Sequence, residues 1–392
     1  FRARPKQPAH ARGAVYHRAM QTPKPSRTVK TGPLSGRSKR LAVAAALVGA
    51  TALTPSVADA RVAAEARPNS DPGFLQVYDA NVENLPTSDE RPPAECAGDW
   101  HDLMYYMRTQ ELKPDLYLVQ QLNNRAQLDL LLQRMEEHFG EKFAGVLAEN
   151  DPEAGTGGTC KEFKKRQTNG VIWRTDRLSL VKSASPDNRW QAQNRVDGAC
   201  VNNNQPRTKG VKALLRDRVS GRTVTAASFH WPTMDHGGEE CADENAVELS
   251  NELTEDGYDS HPQYGATDLY VAGGDTNAHD REGTGWRKWY ALANGDLPGS
   301  TLGFRDAVYA DCETTADPAA CRKDRWTLLT KSHRRVDYLL ARKPGDPLPR
   351  TTDTVVPTFD EGDLADEALS DDGDDRDLDY SDHRAVGARI HY

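Results

Sequence analysis

Apolar positions along this chain follow two rhythms. Short unbroken runs at Phe74–Tyr78 and Asp115–Val119 predict buried strands. Helical spacing at Trp100, Leu103, Met104 and Met107 predicts a helix over 99–110, and the series Leu128, Leu131, Leu132, Met135, Phe139 predicts one over 127–139. Further strands are expected at 143–148, 169–174, 178–183, 210–216, 222–230, 268–272, 336–341 and 385–390. Helices are expected at 240–254 and 286–292, and a loop at Asp79–Pro93. There is no repeat and no linker long enough to separate domains. Many short strands with interspersed helices predict one α/β domain built on sheets, spanning 74–392.

The N-terminal stretch is of another kind. Residues 1–36 lack apolar periodicity and are expected to be a disordered or misassigned extension, with Met20 and Val29 as alternative translation starts. Residues 37–60 combine basic Arg37-Ser-Lys-Arg40, the apolar run Leu41–Leu53 and Ala58-Asp59-Ala60. A basic start, a short apolar run and a small-residue site predict a secretory signal cleaved after Ala60. The run is too short for an ordinary spanning helix. A polar leader, 61–73, follows.

Charge sharpens the division. The formal net charge of the 392 residues is −9. Residues 1–60 hold 11 Lys+Arg against one Asp, so the remaining 332 carry 39 against 58, a net −19. An acidic body does not favour tight unspecific binding of polyanions, though a local basic groove could provide it. Hydrophobic residues at 37% and a mean hydropathy of −0.75 exclude a multispan membrane protein.

All six cysteines, 96, 160, 200, 241, 312 and 321, follow the signal segment. An even count in an exported chain predicts disulfides, with fifteen pairings open. Cys312–Cys321 closes a short loop around Asp317-Pro318 and is the pair expected first; Cys160–Cys200 and Cys96–Cys241 are weaker expectations. With no Cys-x-x-Cys, a zinc ribbon is not expected.

Polar residues gather where apolar strands end: Asn81 and Glu83, Gln120 and Gln121, His230, Asp275 and Asn277, Asp337, and Asp382 with His383. Ligand clefts of α/β sheets form at such ends. Singly, each residue fits a turn, a cap or a satisfied core position.

In order, Asn81-Val-Glu83, Pro114-Asp-Leu-Tyr-Leu-Val-Gln-Gln121, Ser228-Phe-His230, Gly274-Asp-Thr-Asn277, Arg335-Val-Asp-Tyr338 and Ser381-Asp-His383 resemble the endonuclease/exonuclease/phosphatase superfamily, which includes pancreatic-type DNases and bacterial sphingomyelinases. The resemblance spans about 74–392. It implies a four-layer αββα sandwich, two packed mixed sheets flanked by helices, with the site at one end. It also implies hydrolysis of phosphoric esters with a divalent cation, Mg²⁺ first and Mn²⁺ or Ca²⁺ as alternatives. Such chemistry must neutralise phosphate charge, present a water in line and stabilise the leaving oxygen. By this resemblance Asn81, Glu83, Gln121 and Asp382 are the candidate metal shell. Asp275 would orient or deprotonate the water, and Asn277 would donate to a phosphate oxygen. His383 would bind the phosphate or move a proton, Asp337 would orient a histidine, and His230 would bind phosphate or protonate the leaving group.

One residue departs from the pattern. The family has Gln-Glu where this chain has Gln120-Gln121, so a neutral amide stands in place of a carboxylate ligand. That predicts weaker cation binding unless Glu83 compensates, and it opens the alternative of a catalytically impaired binding module.

The substrate class stays open. The basic run Cys160-Lys-Glu-Phe-Lys-Lys-Arg166 favours an extracellular nuclease. Arg207-Thr-Lys-Gly-Val211 resembles the Lys-Gly-Val element of sphingomyelinases and favours a phospholipase C-like or small-ester hydrolase. Trp231, Trp286, Trp289, Tyr290 and Trp326 lie near motif ends and could serve either a base or a choline-like head group. The segment 359–379 has Asp or Glu at eleven positions and only Arg376 as a cation. It is expected as a solvated insert, and its deletion is expected to raise activity on DNA if it repels polyanions. A monomer with no obligate protein partner is expected.

Overall fold

Strands form here because runs of apolar residues are buried on both faces. Phe74–Asn81 (β1) and Leu116–Leu122 (β2) lie side by side and parallel, with Asn81 opposite Gln120. Alternate side chains divide between two cores. Leu75, Val77, Leu116 and Leu118 enter one, and Tyr78, Ala80, Tyr117 and Val119 enter the other.

The computed structural model describes residues 66–82, 104, 107–108, 110–154, 166–183, 188–192, 194–196, 199–201, 206–233, 240–254, 267–328, 334–345, 348–357, 381 and 383–392. The extension and signal segment, most of the helix expected at 99–110, Cys96, Cys160, Glu83, Asp382 and the segment 359–379 lie outside the described residues.

Two sheets stack. In the first, β16 (Thr351–Val355), β17 (Val386–His391), β1, β2, β4 (Thr168–Arg174) and β3 (Phe143–Leu147) follow in that order. In the second the order is β14 (Arg305–Asp306), β15 (Asp337–Arg342), β11 (Leu269–Asp275), β10 (Thr223–His230), β9 (Lys209–Asp217) and β5 (Leu178–Lys182), with β6 (Arg189–Gln191) also paired to β9. Two small ribbons stand apart, β7 (Asn194–Val196) with β8 (Ala199–Val201), and β12 (Arg281–Glu282) with β13 (Gly285–Trp286). Each large sheet has one parallel pair, β1–β2 and β10–β11, among antiparallel neighbours.

Helices cover the outer faces. Helix α1 (Arg125–Phe139) starts at Asn124, whose side chain accepts the Gln127 amide, and stops at Gly140 with φ 66°. Its Leu128, Leu131, Met135 and Phe139 share a core with the outer face of the first sheet. Helices α2 (Ala242–Leu253) and α3 (Lys288–Ala293) close the second sheet through Ala246, Leu249, Trp289 and Tyr290. Three cores thus separate four layers, the expected αββα sandwich. Two short helices, α4 (Ala307–Cys312) and α5 (Pro318–Asp324), lie between β14 and β15 in the chain. No helix among the described residues is long and apolar enough to cross a membrane.

The structure corrects several expectations. β1 runs on through Asn81, where a loop was expected from Asp79. Part of the leader is packed: Ala66 and Asn69 are buried, and Asn69 donates to Asp115 (2.6 Å). Cys312–Cys321 is bonded as expected, but Cys200 pairs with Cys241, not with Cys160, and Cys241 not with Cys96. The β7–β8 ribbon carries Cys200 to the start of α2, where Cys241 sits, at a Cα separation of 5.6 Å. Nothing in the cysteine spacing foretells that approach.

Far from the strand ends named above, the sheets are joined by charge. Arg177, in the turn from β4 to β5, donates to the carbonyls of Asn69 (3.2 Å), Asp71 (2.7 Å) and Phe74 (3.0 Å) and pairs with Asp217 (2.9 Å). Arg174 pairs with Asp115 (2.8 Å), also fully buried. Arginine suits this place because its planar fork can satisfy several acceptors at once.

Candidate active site

Strand direction assembles the site. The parallel pairs β1–β2 and β10–β11 end at Asn81, Gln120, His230 and Asp275, while antiparallel β15 begins at Asp337, opposite Asp275. His383 lies three residues before β17, itself antiparallel to β1. The polar ends of both sheets therefore meet at one end of the sandwich.

Cross-sheet bonds draw them together. Asn81 Nδ2 donates to Asp275 Oδ2 (3.1 Å). Gln120 Nε2 donates to Asp79 Oδ1 (2.8 Å) and Ser228 Oγ (3.0 Å), and Ser228 Oγ donates to the Val119 carbonyl (2.8 Å). Gly273 is required here, because a Cβ would stand 2.5 Å from Asp79 Oδ1 and 2.8 Å from Leu118 Cδ1. Ser381 tethers the last loop, donating through Oγ to the Asn81 carbonyl (2.7 Å) and accepting the His383 amide (3.1 Å).

Asp275 stands at the centre. Its Oδ1 accepts the Asn277 amide (2.7 Å), and its Oδ2 lies 3.4 Å from His230 Nε2 and 3.7 Å from His383 Nε2. Burial lifts its carboxyl from the ordinary 3.8 to about 7; the His383 charge opposes that rise and the Asp337 carboxylate adds to it. Asp79 is also pushed well up, first by burial and then by Asp337.

The two histidines differ. His383 Nδ1 bonds Asp337 Oδ2 (2.8 Å), which fixes the tautomer and turns Nε2 toward Asp275. Asp337 is itself held by Thr327, whose Oγ1 accepts its amide (3.0 Å). His230 is buried and its pKa is pushed well down, by burial and then by the Arg207 and His383 charges. Asn277 Nδ2 donates to the Trp231 carbonyl (3.0 Å) and lies 2.9 Å from His230 Nε2. The carbonyl fixes the amide's orientation, so His230 Nε2 accepts and Nδ1 carries the proton. Asn277 itself has φ 49°, a left-handed conformation that asparagine tolerates better than most residues.

Gln121 occupies a β-bulge in β2, with φ 61°, and its Oε1 accepts from Gln167 Nε2 (2.8 Å). The structure thus brings together Asn81, His230, Asp275, Asn277, Asp337 and His383, and places Gln121 on the neighbouring bulge. Glu83 and Asp382 lie outside the described residues.

Three contributors escaped the sequence reading. Asp79 falls at the start of the expected loop, and Ser228, though part of the Ser-Phe-His motif, carries no expected role. Arg207, in the 3₁₀ turn Pro206–Thr208 leading into β9, donates to Thr233 Oγ1 (3.1 Å) and brings a positive charge toward His230 and Asp275. Its place two residues before Lys209-Gly-Val, on the strand beside the one ending at His230, was the available signal.

The donor set fits a divalent cation. Ligand atoms of Asp275, Asp337 and His383 all lie within 4.8 Å of one another. Buried Asp337 Oδ1, Asp79 Oδ2 and Gln120 Oε1 have no hydrogen-bond partner among the described residues. Burial raises Asp79 and Asp275, and a bound cation would supply the positive charge that holds such carboxyls ionised.

No protein-family model and no curated protein matches the chain. Solved structures do. The human Nocturnin catalytic domain with bound sulfate anion aligns over 84% of this chain and 96% of its own, at 13% identity and a TM-score of 0.51. The chain shares the fold of that domain, a four-layer αββα sandwich. A humanized D. rerio TDP2 aligns over 83% and 100% at 14% identity and TM-score 0.49. An endonuclease/exonuclease/phosphatase protein from Bacteroides vulgatus aligns over 81% and 98% at 15% identity and TM-score 0.48.

Proposed function

We propose that this endonuclease/exonuclease/phosphatase-like chain is an exported, divalent-metal-dependent phosphodiesterase, with nucleic acid as its substrate. The observation that carries the reading is Asp275, buried, accepting from Asn81 and Asn277 and faced by both His230 and the Asp337-bound His383.

Each residue has a task in this reading. Asp275 takes the proton of the attacking water, since a base poised near neutrality does so with little driving-force penalty. His383, held by Asp337, passes a proton through Nε2. Arg207 holds a phosphate oxygen, and Asn277, whose amide hydrogens go to the Trp231 carbonyl and His230 Nε2, fixes neutral His230 beside it. The unpartnered Asp337 Oδ1 and Asn81 are the described groups that would hold a cation beside Asp275 and His383, leaving those two for proton transfer. A bound Mg²⁺ or Mn²⁺ would neutralise phosphate charge alongside Arg207.

Against a choline-lipid substrate stand the aromatic residues. Trp231, Trp289 and Tyr290 are buried in the outer core, Arg281 covers the Trp286 ring at 3.5 Å, and Arg384 covers Trp326 at 4.3 Å. Lys209 of the Lys-Gly-Val element is paired with Glu149. Two disulfides and the signal-like segment support export.

The test is hydrolysis of bis-p-nitrophenyl phosphate by residues 61–392 with Mg²⁺, Mn²⁺ or Ca²⁺, followed by DNA, RNA and phospholipid. Turnover that EDTA abolishes is expected. Absence of turnover with every cation and substrate would overturn the reading in favour of a binding module.

A further inference from the structure

A cavity of about 490 Å³ lies where three catalytic segments continue. Asp280 and Arg281 of its lining follow Asn277 by three and four residues, and Arg334 precedes Asp337 by three. Trp326, also in the lining, adjoins the Thr327 that holds Asp337. A few residues span at most about 14 Å even when extended, so a single substrate can reach both places. Helix α5 contributes Arg322 and Lys323, and the Cys312–Cys321 bond fastens that helix to α4.

The lining is basic, and part of that charge is not spent internally. Five Arg and Lys side chains face one acid, Asp280. Asp280 pairs with buried Arg335 (2.9 Å), and Arg322 pairs with Glu313. Among the described residues Arg281 donates to the Thr284 carbonyl (3.2 Å) and rests on Trp286, and neither it nor exposed Lys323 has a carboxylate partner. In a body of net −19, a basic hollow beside the catalytic end needs a reason.

We propose that this cavity is a second phosphate subsite: the substrate carries another phosphate group one ester unit from the scissile one, and Arg281 and Lys323 hold it. The proposal rests on the phosphodiesterase reading and narrows its substrate. A nucleic-acid strand and a small nucleotide with two phosphates share this chemistry, whereas an isolated diester does not.

Turnover of the dinucleotide dTpdT is to be compared with pdTpdT and dTpdTp, with bis-p-nitrophenyl phosphate as reference and ten-residue oligothymidylate to distinguish a strand from a small nucleotide. One extra phosphate should raise kcat/KM about tenfold, as expected for two partly exposed charge contacts. The double variant Lys323→Glu/Arg281→Gln should lose that gain while hydrolysing the reference ester at the wild-type rate. A further rise with the oligomer would identify a strand as the source of the phosphate. The proposal is overturned if the reference ester is hydrolysed but the extra phosphate brings no gain, or if the gain survives in the double variant. Should no ester be hydrolysed, the catalytic reading fails separately, and calorimetric titration with tripolyphosphate decides the subsite. Binding weakened by the double variant supports it, and no binding overturns it.

Discussion

Replacing Asp275 by Asn should abolish activity yet stabilise the metal-free fold at alkaline pH. Buried acids are usually costly to replace, so the sign is informative. The Asp275 carboxyl titrates near 7 in the fold, against 3.8 without its surroundings. The folded state therefore binds more protons than the unfolded state across that window. Stability from this group is present at low pH, declines as pH rises above about 4, and is fully lost above about 7. Each pH unit is worth about 1.4 kcal/mol, so from pH 5 to pH 8 the wild type should lose about 3 kcal/mol through this carboxyl. Asparagine does not titrate, and its Oδ1 can still accept the Asn277 amide. Its amide group facing Asn81 costs about 1–3 kcal/mol at every pH. Urea unfolding of both proteins in EDTA, at pH 5 and pH 8, measures the difference. The variant's relative stability should improve by about 3 kcal/mol between the two, and excess divalent cation at pH 8 should restore the wild type. A stability difference independent of pH would refute the argument that Asp275 is a desolvated carboxyl awaiting a cation.

Other perturbations have defined outcomes. His383→Ala should lower kcat on bis-p-nitrophenyl phosphate by about 10²-fold or more, and Asp337→Asn, which disturbs the tautomer, by about 10- to 100-fold; retention of a tenth of the activity by His383→Ala would remove it from the mechanism. Gln121→Glu should tighten cation binding in a calorimetric titration; unchanged affinity would place residue 121 outside the metal shell. Gly273→Ala should destabilise the fold by about 1–3 kcal/mol in urea melts, because the new methyl meets Asp79 across the sheets.

The site was legible where a polar residue interrupts an apolar run. Asn81, His230, Asp275 and Asp337 each mark such a break; parallel pairing carries the first three to one end, and antiparallel β15 starts there with Asp337. Asp79 was hidden because strand and loop residues look alike when a carboxyl lies inside an apolar stretch. β14 and the β12–β13 ribbon are two-residue strands, too short to show a period. Helices α4 and α5 span six and seven residues, less than two turns each, so their apolar spacing is not diagnostic. β16, Thr-Thr-Asp-Thr-Val, is largely polar and lies at a sheet edge, where hydrogen bonding rather than burial maintains the strand. The Cys200–Cys241 bond depends on where the β7–β8 ribbon folds, which no local pattern encodes.

The Arg177 clamp has a meaning beyond holding the chain together. Its guanidinium joins the turn between the two sheets to the segment that starts β1 and to the end of β9, while the reacting groups at the other end belong half to one sheet and half to the other. The sandwich therefore acts like a pair of jaws with its pivot at one end and its working tips at the other. A small rotation at the pivot is magnified along the length of the strands and appears as misalignment between Asn81 and Asp275. In the reading proposed above, the buried arginine at the remote end would help hold Asn81 and Asp275 in register.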